Sequence, residues 1–169
     1  MTKADKSSLA PMIDHISLRV KNFDQALAFY AKALRPLDYA VVMQFPGAAG
    51  LGARGKPDFW ITATDQPVNP THVAFAADRA TVRAFHKAAL KAGARDNGAP
   101  GLRAEYHPNY YGAFVLDADG NNIEAVCHLP EGEAPAPAKK AAAKKAPAKK
   151  AAAKKAPAKK APAKKAKKR

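Results

Sequence analysis

The chain carries one pattern twice. Asp14-His15-Ile16-Ser17-Leu18-Arg19-Val20 is answered by Thr71-His72-Val73-Ala74-Phe75-Ala76-Ala77, and each run leads into a helix-like stretch, Ala26-Leu27-Ala28-Phe29 against Val82-Arg83-Ala84-Phe85. The histidines lie 57 residues apart (72 − 15) and the phenylalanines 56 (85 − 29), so the two copies differ by one gapped residue. A duplication of this kind favours two like halves packed about a pseudo-twofold axis, and each half here opens on a side chain able to bind a metal.

Both halves predict the same order of elements. Ile13 to Val20 alternates as a strand, with Ile16, Leu18 and Val20 on one face and His15, Ser17 and Arg19 on the other. Asn22 with Gln25 three residues later suits a helix N-cap, Phe23, Leu27, Tyr30 and Leu34 follow at helical spacing, and Pro36 ends the run. Strands are expected at Tyr39–Phe45 and Asp58–Ala63, with a Gly/Ala loop at Gly47–Gly55 that has room for a short strand. In the second half Thr71–Ala76 reads as a strand and Arg79–Ala92 as a helix stopped by Gly93. A turn at Gly98–Gly101, an extended Arg103–His107, and a hairpin of Ala113–Leu116 with Asn122–His128 complete it. The fold class is α+β: a strand, a helix and about three strands, twice over.

Charge divides the chain in two. Residues 1–133 hold 14 of the 29 Lys/Arg and all 14 Asp/Glu, for a net charge of zero; residues 134–169 hold the other 15 cations and no acid, hence the whole +15. The sequence therefore predicts a leader at 1–11, a domain at 12–130 and a tail at 131–169. With a single cysteine, Cys127, no intrachain disulfide can form, which fits a reducing compartment. The first residues lack the apolar stretch of a secretory signal, and no run approaches the ~20 apolar residues that span a bilayer. The expectation is a cytoplasmic protein.

Alternation decides which side chains share a surface. His15 and His72 both fall opposite the faces that pack under the helices. In the last strand Ile123, Ala125 and Cys127 form the packed face, which turns Glu124 the other way with Val126 and His128. His15, His72 and Glu124 can thus meet on one helix-free concave surface. Two imidazoles and a carboxylate with open coordination positions suit a divalent metal: Fe, Mn, Ni or Zn.

Three stretches carry a resemblance: Asp14-His15 followed by Val20, Thr71-His72-Val73-Ala74-Phe75, and Asp117-Ala118-Asp119-Gly120-Asn121-Asn122-Ile123-Glu124-Ala125-Val126. Together they resemble the vicinal oxygen chelate superfamily, which includes glyoxalase I, extradiol dioxygenases and bleomycin-resistance proteins. The resemblance spans residues 12–129. It implies two βαβββ modules forming a cleft around a divalent metal, with His15, His72 and Glu124 at metal-ligand positions. Glyoxalase-type members take a fourth ligand from the last strand of the first module. Trp60 stands at about that place here and cannot ligate. The three-ligand pattern is more like the extradiol dioxygenases, whose chemistry needs an acid or base near the metal; His107, Tyr110 and Tyr111 are the candidates. A metal-free binding protein of the bleomycin-resistance kind is the alternative, and Trp60 would suit its aromatic cleft. Members of this superfamily commonly form homodimers.

From Lys139 the chain repeats Lys-Lys-Ala-Ala-Ala or Lys-Lys-Ala-Pro-Ala every five residues and closes on Lys167-Lys168-Arg169. With no aromatic and no aliphatic residue beyond Ala, it cannot bury enough apolar surface to offset chain entropy, so disorder is expected. Its composition resembles linker-histone tails. The expected partner of residues 139–169 is nucleic acid, bound without sequence preference through phosphate neutralisation. This opens a third reading: a nucleoid-associated protein whose globular part is incidental.

Overall fold

The computed structural model describes residues 13–133. The leader at 1–11 and all but the first residues of the expected tail lie outside the described residues. The order is β1 (Ile16–Val20), α1 (Phe23–Ala33), a 3-10 turn (Arg35–Leu37), β2 (Ala40–Phe45), β3 (Ala48–Gly52), β4 (Phe59–Ala63), β5 (His72–Ala76), α2 (Arg79–Lys91), β6 (Arg95–Leu102), β7 (Tyr111–Leu116) and β8 (Asn122–Cys127). Each half is βαβββ and builds its own four-stranded mixed sheet, β1-β4-β3-β2 and β5-β8-β7-β6. The first and last strands of each module pair in parallel, and the meander beside them is antiparallel.

Local chemistry fixes the helices. Asn22 Oδ1 accepts the Gln25 N–H at 3.1 Å, the expected cap of α1. Asp78 caps α2, accepting the Thr81 N–H at 2.6 Å, and α2 ends before Gly93, whose φ of +104° few other residues adopt. The Thr81 N–H holds the Asp78 carboxyl below its usual 3.8. A carboxylate whose folded pKa is depressed stabilises the fold above its ordinary pKa and loses that contribution as the pH falls below it. Asp78→Ala should cost about 1 kcal/mol at pH 7 in a urea melt, and the gap should close towards pH 3.

One core serves both modules. Leu18, Val20, Phe29 and Phe59 from the first join Phe75, Val82, Phe85 and Ile123 from the second. An aromatic chain crosses the seam: Tyr30 meets Phe59 at 4.9 Å between ring centroids, and Phe59 meets Phe75 at 5.4 Å. The β7–β8 turn adds a polar clasp. Asp117 accepts the Tyr30 hydroxyl at 2.5 Å and the Asn121 side-chain amide at 2.8 Å, while Asn121 Oδ1 accepts the Thr71 N–H at 3.0 Å. Burial, and then the Asp117 charge, push the Tyr30 phenol far above its usual range. The Asp-x-Asp-Gly-Asn-Asn motif is thus an anchor between modules as well as a turn.

The Gly/Ala loop holds the short strand it had room for, β3. Two expectations change. Gly98–Gly101 is no turn but part of β6, an edge strand with two register shifts against β7; an edge tolerates Pro100, which has no N–H to donate. Arg103–His107 is a turn instead of an extended segment, closed by the Tyr106 N–H on the Arg103 carbonyl at 3.0 Å. His86 of α2 is buried, with Nε2 3.0 Å from Asp96 Oδ1.

Candidate functional site

Strand register decides which side chains share a face. Ala74 of β5 pairs with Glu124 of β8, and the repeat-equivalent Ser17 of β1 pairs with Trp60 of β4. Trp60 therefore occupies the position in the first module that Glu124 occupies in the second. Both residues lie on bare backbone. A Cβ on Gly50 would come within 2.8 Å of the Trp60 ring, and one on Gly112 within 2.9 Å of Glu124 Oε1.

Glu124 is 1% exposed, an unusual place for a carboxylate, and both of its oxygens are engaged. His72 Nε2 lies 2.9 Å from Oε2, and the Tyr110 hydroxyl donates to Oε1 at 2.5 Å. Asn122 Nδ2 donates to His72 Nδ1 at 2.7 Å, which leaves Nε2 as the protonated nitrogen facing Glu124. Asn122, His72, Glu124 and Tyr110 thus form one continuous hydrogen-bonded chain. Burial first, then the bond to Glu124 and its charge, push the Tyr110 phenol up to about 12.

His15 stands apart from this chain. It is half exposed, and its Nδ1 lies 2.9 Å from Asp14 Oδ1. Asp14 is held below its usual pKa by Lys56 first and His15 second. Among the described residues no three His, Cys, Asp or Glu side chains gather closely enough to hold a metal ion. His72 and Glu124 suit two adjacent positions of a divalent site, because ligands about 2.1 Å from one ion sit roughly 3 Å apart. His15 does not supply the third in this arrangement.

Two hollows meet at His72. One, of about 700 Å³, lies between β1 and β5; His15, Arg19, Asp58, Phe59, His72 and Phe75 are among the residues lining it. One carboxylate oxygen of Asp58 is buried there with no hydrogen-bond partner among the described residues. The other, of about 540 Å³, covers the concave face of the second sheet and is lined by Tyr110, Phe114, Asn122 and the buried Glu124 beside Arg103 and Tyr106.

The other candidates separate. Tyr110 touches Glu124, as above. His107 is exposed; its Nδ1 accepts the Asn109 N–H at 3.1 Å, and its ring lies 6.2 Å from that of His128. Tyr111 points to the helix side of β7, under the Arg79 and Arg83 guanidinium groups at 5.1 and 5.9 Å. His128, which strand alternation places at the domain edge, lies edge-on to Tyr110 at 5.0 Å. Its position two residues after Val126 and four after Glu124, on the same face of the strand, was the signal that could have included it.

No family model matches the sequence, and no curated protein matches it. Solved structures do. A glyoxalase/bleomycin resistance protein from Albidiferax ferrireducens T118 aligns with a TM-score of 0.63 at 24% identity, over 69% of this chain and 99% of that chain. A glyoxalase/bleomycin resistance protein/dioxygenase family enzyme from Burkholderia phytofirmans PsJN aligns at 0.55 and 17%, over 69% and 98%. A glyoxalase I mutant from Zea mays aligns at 0.53 and 21%, over 68% of this chain and 46% of that one. The chain has the α+β fold of these proteins. Among the described residues no helix is long and apolar enough to cross a membrane.

Proposed function

We propose that the domain is a small-molecule-binding member of the vicinal oxygen chelate superfamily, its ligand held between the modules. One observation carries this reading: the hollow of about 700 Å³ between β1 and β5, which lies within the size range of ligand sites. Phe59 and Phe75 give it an apolar floor, while His15 and His72 supply polar groups to orient a ligand. The self-satisfied chain of Asn122, His72, Glu124 and Tyr110 supports binding without metal, since Glu124 needs no cation to offset its burial.

A second reading keeps the metal. The 2.9 Å between His72 Nε2 and Glu124 Oε2 favours a chelating pair. Here His15 completes a two-His, one-Glu site for Fe, Mn, Ni or Zn, either by closure of the cleft or from a second copy in a homodimer. Tyr110 and His107 would then be the nearest groups to move a proton. The tail, residues 139–169, binds nucleic acid through its charge.

Thermal melts of the full chain against small-molecule panels, with and without a chelator, separate the two readings. A ligand at ~100 times its Kd should add about 2.7 kcal/mol of stability. Metal-free binding predicts that the gain survives chelator and that the purified protein carries no stoichiometric metal. Stoichiometric metal that is lost in His72→Ala, together with ligand stabilisation abolished by chelator, would establish the metal site instead.

A further inference from the structure

Helix α2 carries a stripe of cations outside the cleft, of which Arg79 is mostly buried against Tyr111 and Glu131. Arg79, Arg83, Lys87 and Lys91 recur every fourth residue, Arg95 continues the interval into β6, and no Asp or Glu lies between residues 79 and 95. Four-residue spacing puts these side chains along one side of the helix. At ~1.5 Å per residue, the exposed part of the stripe, from Arg83 to Lys91, runs about 12 Å. Arg83, Lys87 and Lys91 are exposed and take part in no ion pair among the described residues. The neighbouring acids are few. Glu131 lies 3.5 Å from Arg79, Asp78 is occupied as the helix cap, and Asp96 is bonded to His86. The 3-10 turn bearing Arg35 packs against α2 and adds another exposed cation. Four of the 14 Lys/Arg of residues 1–133 thus lie on this one helix.

We propose that this stripe is a docking surface for the phosphate backbone of a nucleic-acid duplex and acts together with the tail as one interface. The proposal rests on the nucleic-acid reading of the tail and extends it to the globular domain. Three features favour a duplex. Phosphates recur every ~3.4 Å along one strand of a duplex, so the exposed stripe spans about three to four of them. Arg79 and Arg83 are held in place over the Tyr111 ring, which spares part of the cost of ordering them on binding. The apolar side of α2, Val82, Phe85 and Ala89, is fully committed to the core, so the helix has no face to insert into a lipid surface.

The place where the tail begins joins the two parts. The Arg79–Glu131 contact brings the chain to the N-terminal end of α2 just before the tail. Lys139 is six residues beyond Glu133, a reach of at most ~20 Å. Stripe and tail can therefore engage one duplex at high effective concentration. Because α2 covers the face of the second sheet opposite Glu124 and His72, a bound duplex leaves the concave hollow open.

The test is salt-dependent binding of the full chain to a mixed-sequence 30-base-pair DNA duplex, read by fluorescence anisotropy. Arg83→Ala/Lys87→Ala/Lys91→Ala should make the slope of log K against log salt shallower by about 2 to 3, at ~0.9 per lost phosphate contact. Its helix signal should match wild type, since Ala favours helix. Arg54→Ala/Lys56→Ala, on the β3–β4 loop, should leave the slope unchanged. A triple-variant slope equal to wild type, while Gln at all 15 tail cations abolishes binding, overturns the stripe and spares the tail. An equal loss per charge in the loop variant reduces the effect to net charge and overturns the stripe. If the wild-type chain binds no DNA at 50 mM salt, or prefers vesicles rich in phosphatidylserine, the tail reading and this inference fall together.

Discussion

Phe59→Ala should lower the stability of the whole domain by about 3–5 kcal/mol, the range for deleting a fully buried aromatic side chain. Phe59 is 1% exposed and stands edge-on between Tyr30 and Phe75. Each such aromatic pair contributes ~0.5–1.5 kcal/mol beyond the area it buries. Tyr30 belongs to α1 and Phe75 to β5, so the cavity opens on the seam between modules. Both modules should therefore melt together at lower urea, in a single transition. Trp60, the only tryptophan, reports on the first module, and far-ultraviolet circular dichroism reports on both. A loss below ~1 kcal/mol, or separate transitions for the two signals, would mean that the modules do not share a core.

Tyr110→Phe should remove the donor from one oxygen of a carboxylate that is 1% exposed. Leaving such an acceptor unsatisfied costs about 1–3 kcal/mol, measured as a drop in the urea midpoint at pH 7. The pH dependence has a definite sign. The folded phenol titrates at about 12 instead of 10.0, so its contribution is complete below pH 10 and fades as the pH rises towards 12. The wild type and the variant should therefore converge over that interval. Absorbance near 295 nm should lose a late-titrating phenol in Tyr110→Phe, and in Glu124→Gln that phenol should titrate nearer 10. Equal stability and an unchanged titration curve would remove the Tyr110–Glu124 bond from the site.

The repeat and the period of two carried far. They placed β1, β5 and both helices, and they put Glu124 and His72 on one helix-free face, where the two residues now touch. Propensity failed where tertiary pairing overrides it. Asp96-Asn97-Gly98-Ala99-Pro100-Gly101 has the composition of a turn, yet it forms an edge strand because β7 offers it a ladder. His86 looks like a surface residue of an amphipathic helix until Asp96 arrives from β6 to pair with it. Alternation gives the face of a side chain but not its distance from others, so it could not reveal that His15 pairs with Asp14. Tyr110 stood among the sequence candidates, but its bond to Glu124 was not legible, because the residue precedes β7 and follows the turn that Arg103 closes.

The edges of the two sheets constrain how copies of this chain can join. The outer edges are irregular: β2 has a register shift between Val41 and Met43, and β6 has two shifts and a proline. Irregular edges make poor templates for an added strand. The other two edges, β1 and β5, pair without a shift to their single neighbours. A twofold pair that set β1 of each copy against β5 of the other would use both regular edges at once. Among the described residues no straight edge would then remain for a third copy, so pairing of these sheets would end at two chains.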